Sequence, residues 1–383
     1  MNNLLIMHGG GPTSVISSSL YGAVKEAKKY AEIDNIYAAK GGTGGFLNEE
    51  LIDMRKVSDE DLELLKQTPG SAIGTSRDHL EPEDYDRIVE LLKKYDIKYV
   101  IMNGGNGTMD TCGKIFKACG DNGIKVMGIP KTMDNDIAIT DHTPGYGSAA
   151  RFMAKSVSEI CADVKSMPIH IVIIESMGRD VGWLAASSAL AKDAGVGGPD
   201  LIYLPEAPFS DEAFLNEVEK LINEKKSGVV VVSEGVKYAD GSYVAPMVQV
   251  NRTRNLGDVA PKLKQLIVEK FGYKVRTEKA GMFSRTSISC QSELDRDEAV
   301  AVGAKAVEEA LKGTSGKMVG IKRISTEPYK VELELIDVEK VMLFEKPFPK
   351  EYINEAGNGV TEEFVDWCRP LIGEPLPKLI SLK

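Results

Sequence analysis

The chain has 383 residues, too many for one ordinary hydrophobic core, so two domains are expected. A hydrophobic share of 43% and a charged share of 27% are those of a soluble globular protein, and a net charge of −10 argues against a duplex-binding surface, which needs clustered Lys and Arg. The five cysteines lack CxxC spacing, and neither a signal peptide nor an apolar run of about 18 residues occurs, so a cytoplasmic protein without disulfides, zinc or a membrane helix is expected.

In chain order, residues 4–7 read as a short apolar strand. It runs into His8-Gly9-Gly10-Gly11-Pro12-Thr13-Ser14 and then into a helix over about residues 15–30. Strand, glycine turn and helix form a phosphate cradle, because glycine lets the backbone approach an oxyanion and the helix N-terminus supplies free N–H groups. The turn is neither GxGxxG nor GxxxxGK(S/T), and any tight βα turn can use glycine. Residues 36–39 read as the second strand, ahead of the cluster Gly41-Gly42-Thr43-Gly44-Gly45. A third loop, Pro69-Gly70-Ser71-Ala72-Ile73-Gly74-Thr75-Ser76-Arg77, ends in an arginine whose planar fork suits phosphate or a surface salt bridge. Residues 81–95 form a charged amphipathic helix. Residues 98–102 are a strand, followed by Asn103-Gly104-Gly105-Asn106-Gly107-Thr108-Met109-Asp110 and a helix over about 108–119.

The next strand, 124–129, ends in Pro130-Lys131-Thr132-Met133-Asp134-Asn135-Asp136. Open α/β sheets carry their chemistry at the carboxyl ends of strands. Asp134 suits taking a proton from an alcohol, Asp136 holding a metal ion, and Lys131 meeting phosphate. The alternative is a solvated turn rich in Asn and Asp. Strands alternating with helices predict an α/β fold with a parallel doubly wound sheet, and the glycine loops would converge on one crevice.

The turn at 140–151, containing His142, enters a long helix ending near residue 164; a histidine in a Pro/Gly turn is more often structural than catalytic. Residues 169–174 suit a central strand. They lead to Glu175-Ser176-Met177-Gly178-Arg179-Asp180 and a small-residue helix over 181–194. Strands at 200–204 and 228–232 end in Pro205-Glu206 and Ser233-Glu234-Gly235. The pattern has restarted, which predicts a second α/β domain from near residue 140. Residues 275–285 gather Arg276, Lys279 and Arg285 around a glycine, a basic cluster suited to an anionic substrate. Residues 295–311 read as an amphipathic helix, 317–321 as a strand and 329–335 as a half-exposed strand, before an irregular C-terminal extension.

Together these motifs resemble the phosphofructokinases that use ATP or pyrophosphate. The resemblance runs in order through Gly9-Gly10-Gly11-Pro12-Thr13, Gly104-Gly105-Asn106-Gly107-Thr108, the Pro130 to Asp136 stretch, Met177-Gly178-Arg179, Pro199-Asp200, Pro205-Glu206 and Asp295-Arg296. The first of these and the tail Glu355-Ala356-Gly357-Asn358-Gly359-Val360-Thr361 are similar to the pyrophosphate-type branch. The resemblance implies two Rossmann-like three-layer domains with the active site in the cleft between them. Residues 1–139 would bind the phosphoryl donor and 140–320 the sugar phosphate, with 321–383 as a C-terminal extension, and that extension, about 320–383, would pack back on the first. It also implies Mg²⁺-supported in-line phosphoryl transfer to fructose 6-phosphate, a glycolytic step, by a homodimer or homotetramer that engages no nucleic acid. Carried over by position, Asp134 is the base, with Lys131 and Arg179 also catalytic. Thr132, Asp136, Met177, Gly178, Arg179, Glu206, Arg276 and Arg285 line the sugar phosphate. Gly10, Arg77, Gly104, Asn106, Gly107 and Thr108 line the donor, and Asp136 and Asn106 hold the metal.

The resemblance also frames the donor question. Pyrophosphate users carry Asp at the place of Gly107, where it blocks a nucleotide's α-phosphate, and Lys at the place of Lys131; ATP users carry Gly at both. This chain is mixed, and steric permission at Gly107 favours ATP, with pyrophosphate as the alternative. Asn106 replaces a metal-binding aspartate, and a neutral amide is a weaker Mg²⁺ ligand. His170 stands for an arginine that reaches a neighbouring subunit's site, and Met282 for a His or Tyr at the 6-phosphate. These departures leave open a different sugar or polyol acceptor, and a non-catalytic sensing role.

Overall fold

Apolar runs closed by glycine turns set the elements of this chain. The computed structural model describes residues 1–250, 253–342 and 344–382. The strands are β1 (Asn3–His8), β2 (Ile36–Ala39), β3 (Leu51–Asp53), β4 (Ile97–Gly104), β5 (Lys125–Pro130), β6 (Ile171–Ser176), β7 (Leu201–Tyr203), β8 (Gly228–Ser233), β9 (Val248–Val250), β10 (Thr253–Asn255), β11 (Val275–Lys279), β12 (Lys317–Thr326) and β13 (Tyr329–Asp337). The helices are α1 (Ile16–Ala27), α2 (Gly42–Leu47), α3 (Asp59–Leu64), α4 (Pro82–Lys94), α5 (Asn106–Cys119), α6 (Tyr146–Ser166), α7 (Trp183–Ser187), α8 (Asp211–Lys225), α9 (Val259–Phe271), α10 (Phe283–Thr286), α11 (Glu293–Leu311) and α12 (Glu362–Cys368). None of them, among the described residues, is long and apolar enough to cross a membrane.

The chain forms two compact units, one of residues 1–148 with 285–346, the other of 149–284 with 347–383. The first is built on a seven-stranded sheet in the order β13-β12-β5-β4-β1-β2-β3. Its inner pairings are parallel, and only β3 and β13, at the edges, run antiparallel to their neighbours. β1 is buried along its whole length, as a central parallel strand covered on both faces must be. One face packs on α1 and α11, the other on α4 and α5. Helix α4 shows why such segments are helical. Glu81 and Asp84 form a capping box, Pro82 occupies the first turn, Lys93 and Lys94 complement the C-terminal end, and Ile88, Leu91 and Leu92 face the core. In register, His8 lies opposite Asn103, and Gly104 opposite Pro130. The turns after β1, β4 and β5 therefore emerge side by side at the carboxyl edge of the sheet.

The division differs from boundaries at 139 and 320. Residues 285–320 belong to the first unit because α11 packs directly on α1. A Cβ at Gly22 would lie 2.0 Å from Val300 O, and one at Gly303 would lie 2.1 Å from Ser19 O. The two helices touch backbone to backbone, which only glycine permits. The extension is split as well. β12 and β13 complete the first sheet, whereas residues 347–383 belong to the second unit, where Trp183 packs edge-on against Phe348 at 5.0 Å and lies 5.0 Å from Trp367.

His142 is structural, as its turn suggests. It is buried, with Nδ1 2.8 Å from Asp141 Oδ2 and Nε2 2.6 Å from Glu298 Oε2. Tyr329 donates to Glu298 Oε1 at 2.6 Å, and Arg323 Nε donates to Asp141 Oδ2 at 3.2 Å. Burial alone would depress the imidazole, but Glu298 and Asp141 outweigh it and raise its pKa to about 9. A pKa raised on folding gives stability that is complete below the ordinary value of 6.5 and is lost as pH rises through about 9. His142→Asn is expected to cost about 3–5 kcal/mol at mildly acid pH, because it strands a buried charge. The gap to wild type should narrow in alkaline solution, which urea unfolding at the two pH values checks.

The second unit holds a four-stranded sheet, β11-β6-β8-β7, with every pairing parallel, and the small antiparallel pair β9–β10. β6 and β8 are fully buried and read as continuous apolar runs. Helices α8 and α9 supply Phe214, Val218, Leu263 and Ile267 to the core. The small-residue segment after β6 is α7 followed by a 3₁₀ stretch, Ser188–Ala194.

Candidate active site

In the first unit, three carboxyl-edge turns interlock. Gly9 N donates to Asn103 O at 2.9 Å, and Lys131 N donates to Gly104 O at 2.9 Å. The Thr108 hydroxyl sits between two of the turns. A Cβ at Gly104 would come within 2.1 Å of Thr108 Oγ1, and one at Gly9 within 2.3 Å of it. The glycines there are fixed by this approach. The third glycine loop closes on the first, where Gly10 N donates to Ser76 O at 2.8 Å and Thr75 Oγ1 donates to Gly10 O at 2.8 Å.

Cations converge on the first turn. A Cβ at Gly11 would lie 2.8 Å from an Arg285 guanidinium nitrogen and 3.3 Å from one of Arg77. Lys131 Nζ donates to Gly11 O at 2.5 Å. Lys131 is buried, and burial lowers its pKa to about 8; Asp134 and Asp136 pull it up, while Arg285 and Arg77 push it further down. His8, buried at the end of β1, is held neutral with its pKa lowered to about 3 by burial and by Lys131. Three cations and two carboxylates thus share one small volume. That is the electrostatic pattern of a phosphoryl site, where neutralising charge matters more than covalent help.

Burial singles out one group in the loop after β5. From Val126 to Ile137 every residue is buried except Asp134, which keeps part of its surface. Its own N–H donates to Thr132 Oγ1 at 3.0 Å, which sets the turn. Asp136 lies two residues on, and the Asn106 side-chain amide donates to Asp136 O at 3.3 Å. Asn106 Oδ1 is left buried with no hydrogen-bond partner among the described residues. No three His, Cys, Asp or Glu side chains cluster to cage a metal among those residues. One carboxylate and one unspent amide oxygen fit a Mg²⁺ ion held largely by substrate phosphates and water.

In the second unit, the Met177-Gly178-Arg179 turn follows β6. Gly178 has φ 140° and Arg179 φ 54°; a Cβ at Gly178 would lie 2.7 Å from Val181 O. Arg179 N donates to Glu234 Oε1 at 3.0 Å, leaving an exposed guanidinium. Glu206, after β7, accepts from Gly182 N at 3.0 Å and from Phe348 N at 2.8 Å through Oε1. Its Oε2 is buried with no partner among the described residues, and burial raises its pKa. Such an oxygen is ready to accept from a substrate hydroxyl.

The structure therefore brings together Gly10, Arg77, Gly104, Asn106, Thr108, Lys131, Thr132, Asp134 and Asp136 in the first unit, with Gly107 at the start of α5. It brings together Met177, Gly178, Arg179 and Glu206 in the second. Two residues grouped with the sugar phosphate stand apart from the Met177 turn in the chain's own elements. Arg285 stands beside Gly11 and Arg77 in the first unit. Arg276 lies near the start of β11, opposite Val172, where it and Lys274 depress the buried His170 after burial has done so. Five residues of strand, roughly 16 Å, separate that end of β6 from the Met177 turn, so Arg276 does not join the Met177 group within the chain. Gly11 and Glu234 are contributors that sequence reasoning left without a role, although both stood inside glycine motifs that marked them.

The sequence pattern of the phosphofructokinase family (Phosphofructokinase) matches residues 3–310. The chain is 37% identical to the pyrophosphate–fructose 6-phosphate 1-phosphotransferase of Halomonas elongata, over 98% of this chain and 93% of that one. It is 34% identical to a sulfofructose kinase of Alkalicoccus urumqiensis, over 97% and 95% of the two chains. The crystal structure of a pyrophosphate-dependent phosphofructokinase from Nitrosospira multiformis superposes with a TM-score of 0.89 at 34% identity, covering 100% of this chain and 94% of that one. With the family pattern matched over residues 3–310 and relatives of this identity spanning nearly the whole chain, this protein belongs to the phosphofructokinase family.

Proposed function

We propose that the chain transfers a phosphoryl group from pyrophosphate to the 1-hydroxyl of fructose 6-phosphate. The observation that carries this reading is Asp134, the one residue of a buried stretch that keeps part of its surface, next to Lys131 and its two arginines. Asp134 takes the hydroxyl proton as the sugar oxygen bonds to phosphorus, and the bridging P–O bond breaks to release phosphate. Lys131, Arg77 and Arg285 balance the donor's charge, and the glycine turns let backbone N–H groups approach it. Mg²⁺, held by Asp136 and Asn106 together with the phosphates, supplies further neutralisation when bound. Glu206 and the Met177 turn orient the acceptor. The donor assignment departs from the ATP preference at Gly107; relatives spanning nearly the whole chain are named for pyrophosphate, and buried Lys131 supports it.

ATP is the second reading, favoured by one feature. A side chain at Gly107 would meet nothing within 4 Å, so the start of α5 leaves open space. A coupled assay of the purified protein with each donor decides between them, with the acceptor panel including sulfofructose. Gly107→Asp should cut any ATP turnover about tenfold or more, since a like charge placed against a phosphate costs several kcal/mol, while pyrophosphate turnover persists. Equal loss with both donors would show that residue 107 does not read the donor.

A further inference from the structure

The loop after β5 carries a constrained backbone. Asn135 has φ 56° and Ile139 φ 73°, and a branched residue adopts the left-handed region only where its surroundings over-determine it. Lys346 supplies much of that constraint. Its backbone N–H donates to Asp136 O at 2.8 Å. Its ammonium donates to Asn135 Oδ1 at 3.2 Å, Thr140 O at 3.0 Å and Asp141 O at 2.8 Å. Three oxygens match the three N–H bonds of an ammonium. All belong to residues 135–141, and none to the apolar core. Glu345, one residue earlier, bridges to Ile137. The loop's far end is fixed separately, by Asp141 N donating to Ile321 O at 2.8 Å and by Arg323 on the Asp141 carboxylate.

We propose that Lys346 is a positioning residue, whose ammonium gathers the oxygens of residues 135–141 and so aims Asp134 and keeps Asp136 in place. Without the cation, converging carbonyl dipoles repel one another and the strained turn at Ile139 relaxes. The proposal rests on reading Asp134 as the base. A methionine would keep the stem and lose all three donors, whereas the general packing of this region would be little changed.

The test is Lys346→Met in the full-length protein, assayed with the better donor and fructose 6-phosphate. The expected result is a fall in kcat on the order of 10²-fold, the effect of a catalytic group displaced by about 1 Å, with KM values within about threefold. Asn135→Gly removes one of the three oxygens while tolerating the positive φ. It should lose less, and the double variant should lose no more than Lys346→Met alone. Amide exchange should quicken in residues 134–141 and stay unchanged in β1 and β4. A kcat within twofold of wild type, strictly additive losses, or unaltered exchange in the loop would each overturn the assignment. Should Lys346→Met not fold, Asn135→Gly carries the same kinetic and exchange tests. Absence of turnover by the wild type with either donor would remove the functional reading, and the exchange result would still decide the clamp.

Discussion

Asp134→Ala is expected to lower kcat by on the order of 10²–10⁴, the usual share of a positioned general base, and to leave the protein folded. The second half of that expectation comes from burial. Asp134 keeps part of its surface and its carboxylate lies outside the apolar core, so truncation removes no core packing. Its backbone N–H still donates to Thr132 Oγ1, and the turn is kept. Steady-state kinetics beside a melting curve checks both halves. Full activity in the variant would move the base elsewhere, with Asp136 the next carboxylate in line. Loss of folding would make Asp134 a structural group instead.

Lys131→Met should lower kcat/KM by about 10²–10³, the effect of losing one preorganised charge at a site of transferring charge. Stability should change little. The folded state is relieved of a buried cation whose pKa burial pushes down, and it loses that cation's compensation of Asp134 and Asp136, with Arg77 and Arg285 still beside them. The sign with pH follows. Its pKa falls on folding from 10.5 to about 8, so between those values the unfolded chain binds more protons and this group's contribution to stability grows as pH rises. Activity goes the other way. The wild-type kcat/KM should decline as pH rises from about 7 through about 8, as the free enzyme loses the buried cations of Lys346 and Lys131. Lys131→Met should lack the part of the decline near 8. A variant that keeps that part would assign it to another group.

Much of the site was legible in sequence because its signals are local. A strand, a glycine turn and a helix start lie within a dozen residues, and the glycines at 9 and 104 are required by contacts with Thr108, whose own motif is adjacent. The alternation of strands and helices marked the parallel inner strands of both sheets, but not the antiparallel edges β3 and β13 of the first. The signals failed where position depends on distant partners. Arg276 and Arg285 sit nine residues apart in one basic cluster, yet one belongs to the start of β11 and the other to the Gly11 turn. Nothing in residues 293–311 announces that Gly303 meets Ser19, because the partner face is almost three hundred residues away. Lys346 is invisible for the same reason. A lysine in an irregular tail becomes meaningful only once the oxygens of residues 135–141 surround it.

The chain passes between its two units at residues 148, 284 and 346, so neither unit is contiguous. On the ribosome this imposes an order of events. After residue 148 emerges, β5 has β4 on one side and an open edge on the other, and α1 shows its glycine face with α11 not yet made. At roughly 5–20 residues per second, the missing strand and helix follow only about 10–40 s later. Through that interval a parallel sheet with an unpaired apolar edge is exposed to other nascent chains. The polypeptide therefore has a built-in waiting period, and the first segment of the second unit, residues 149–284, is synthesised inside it.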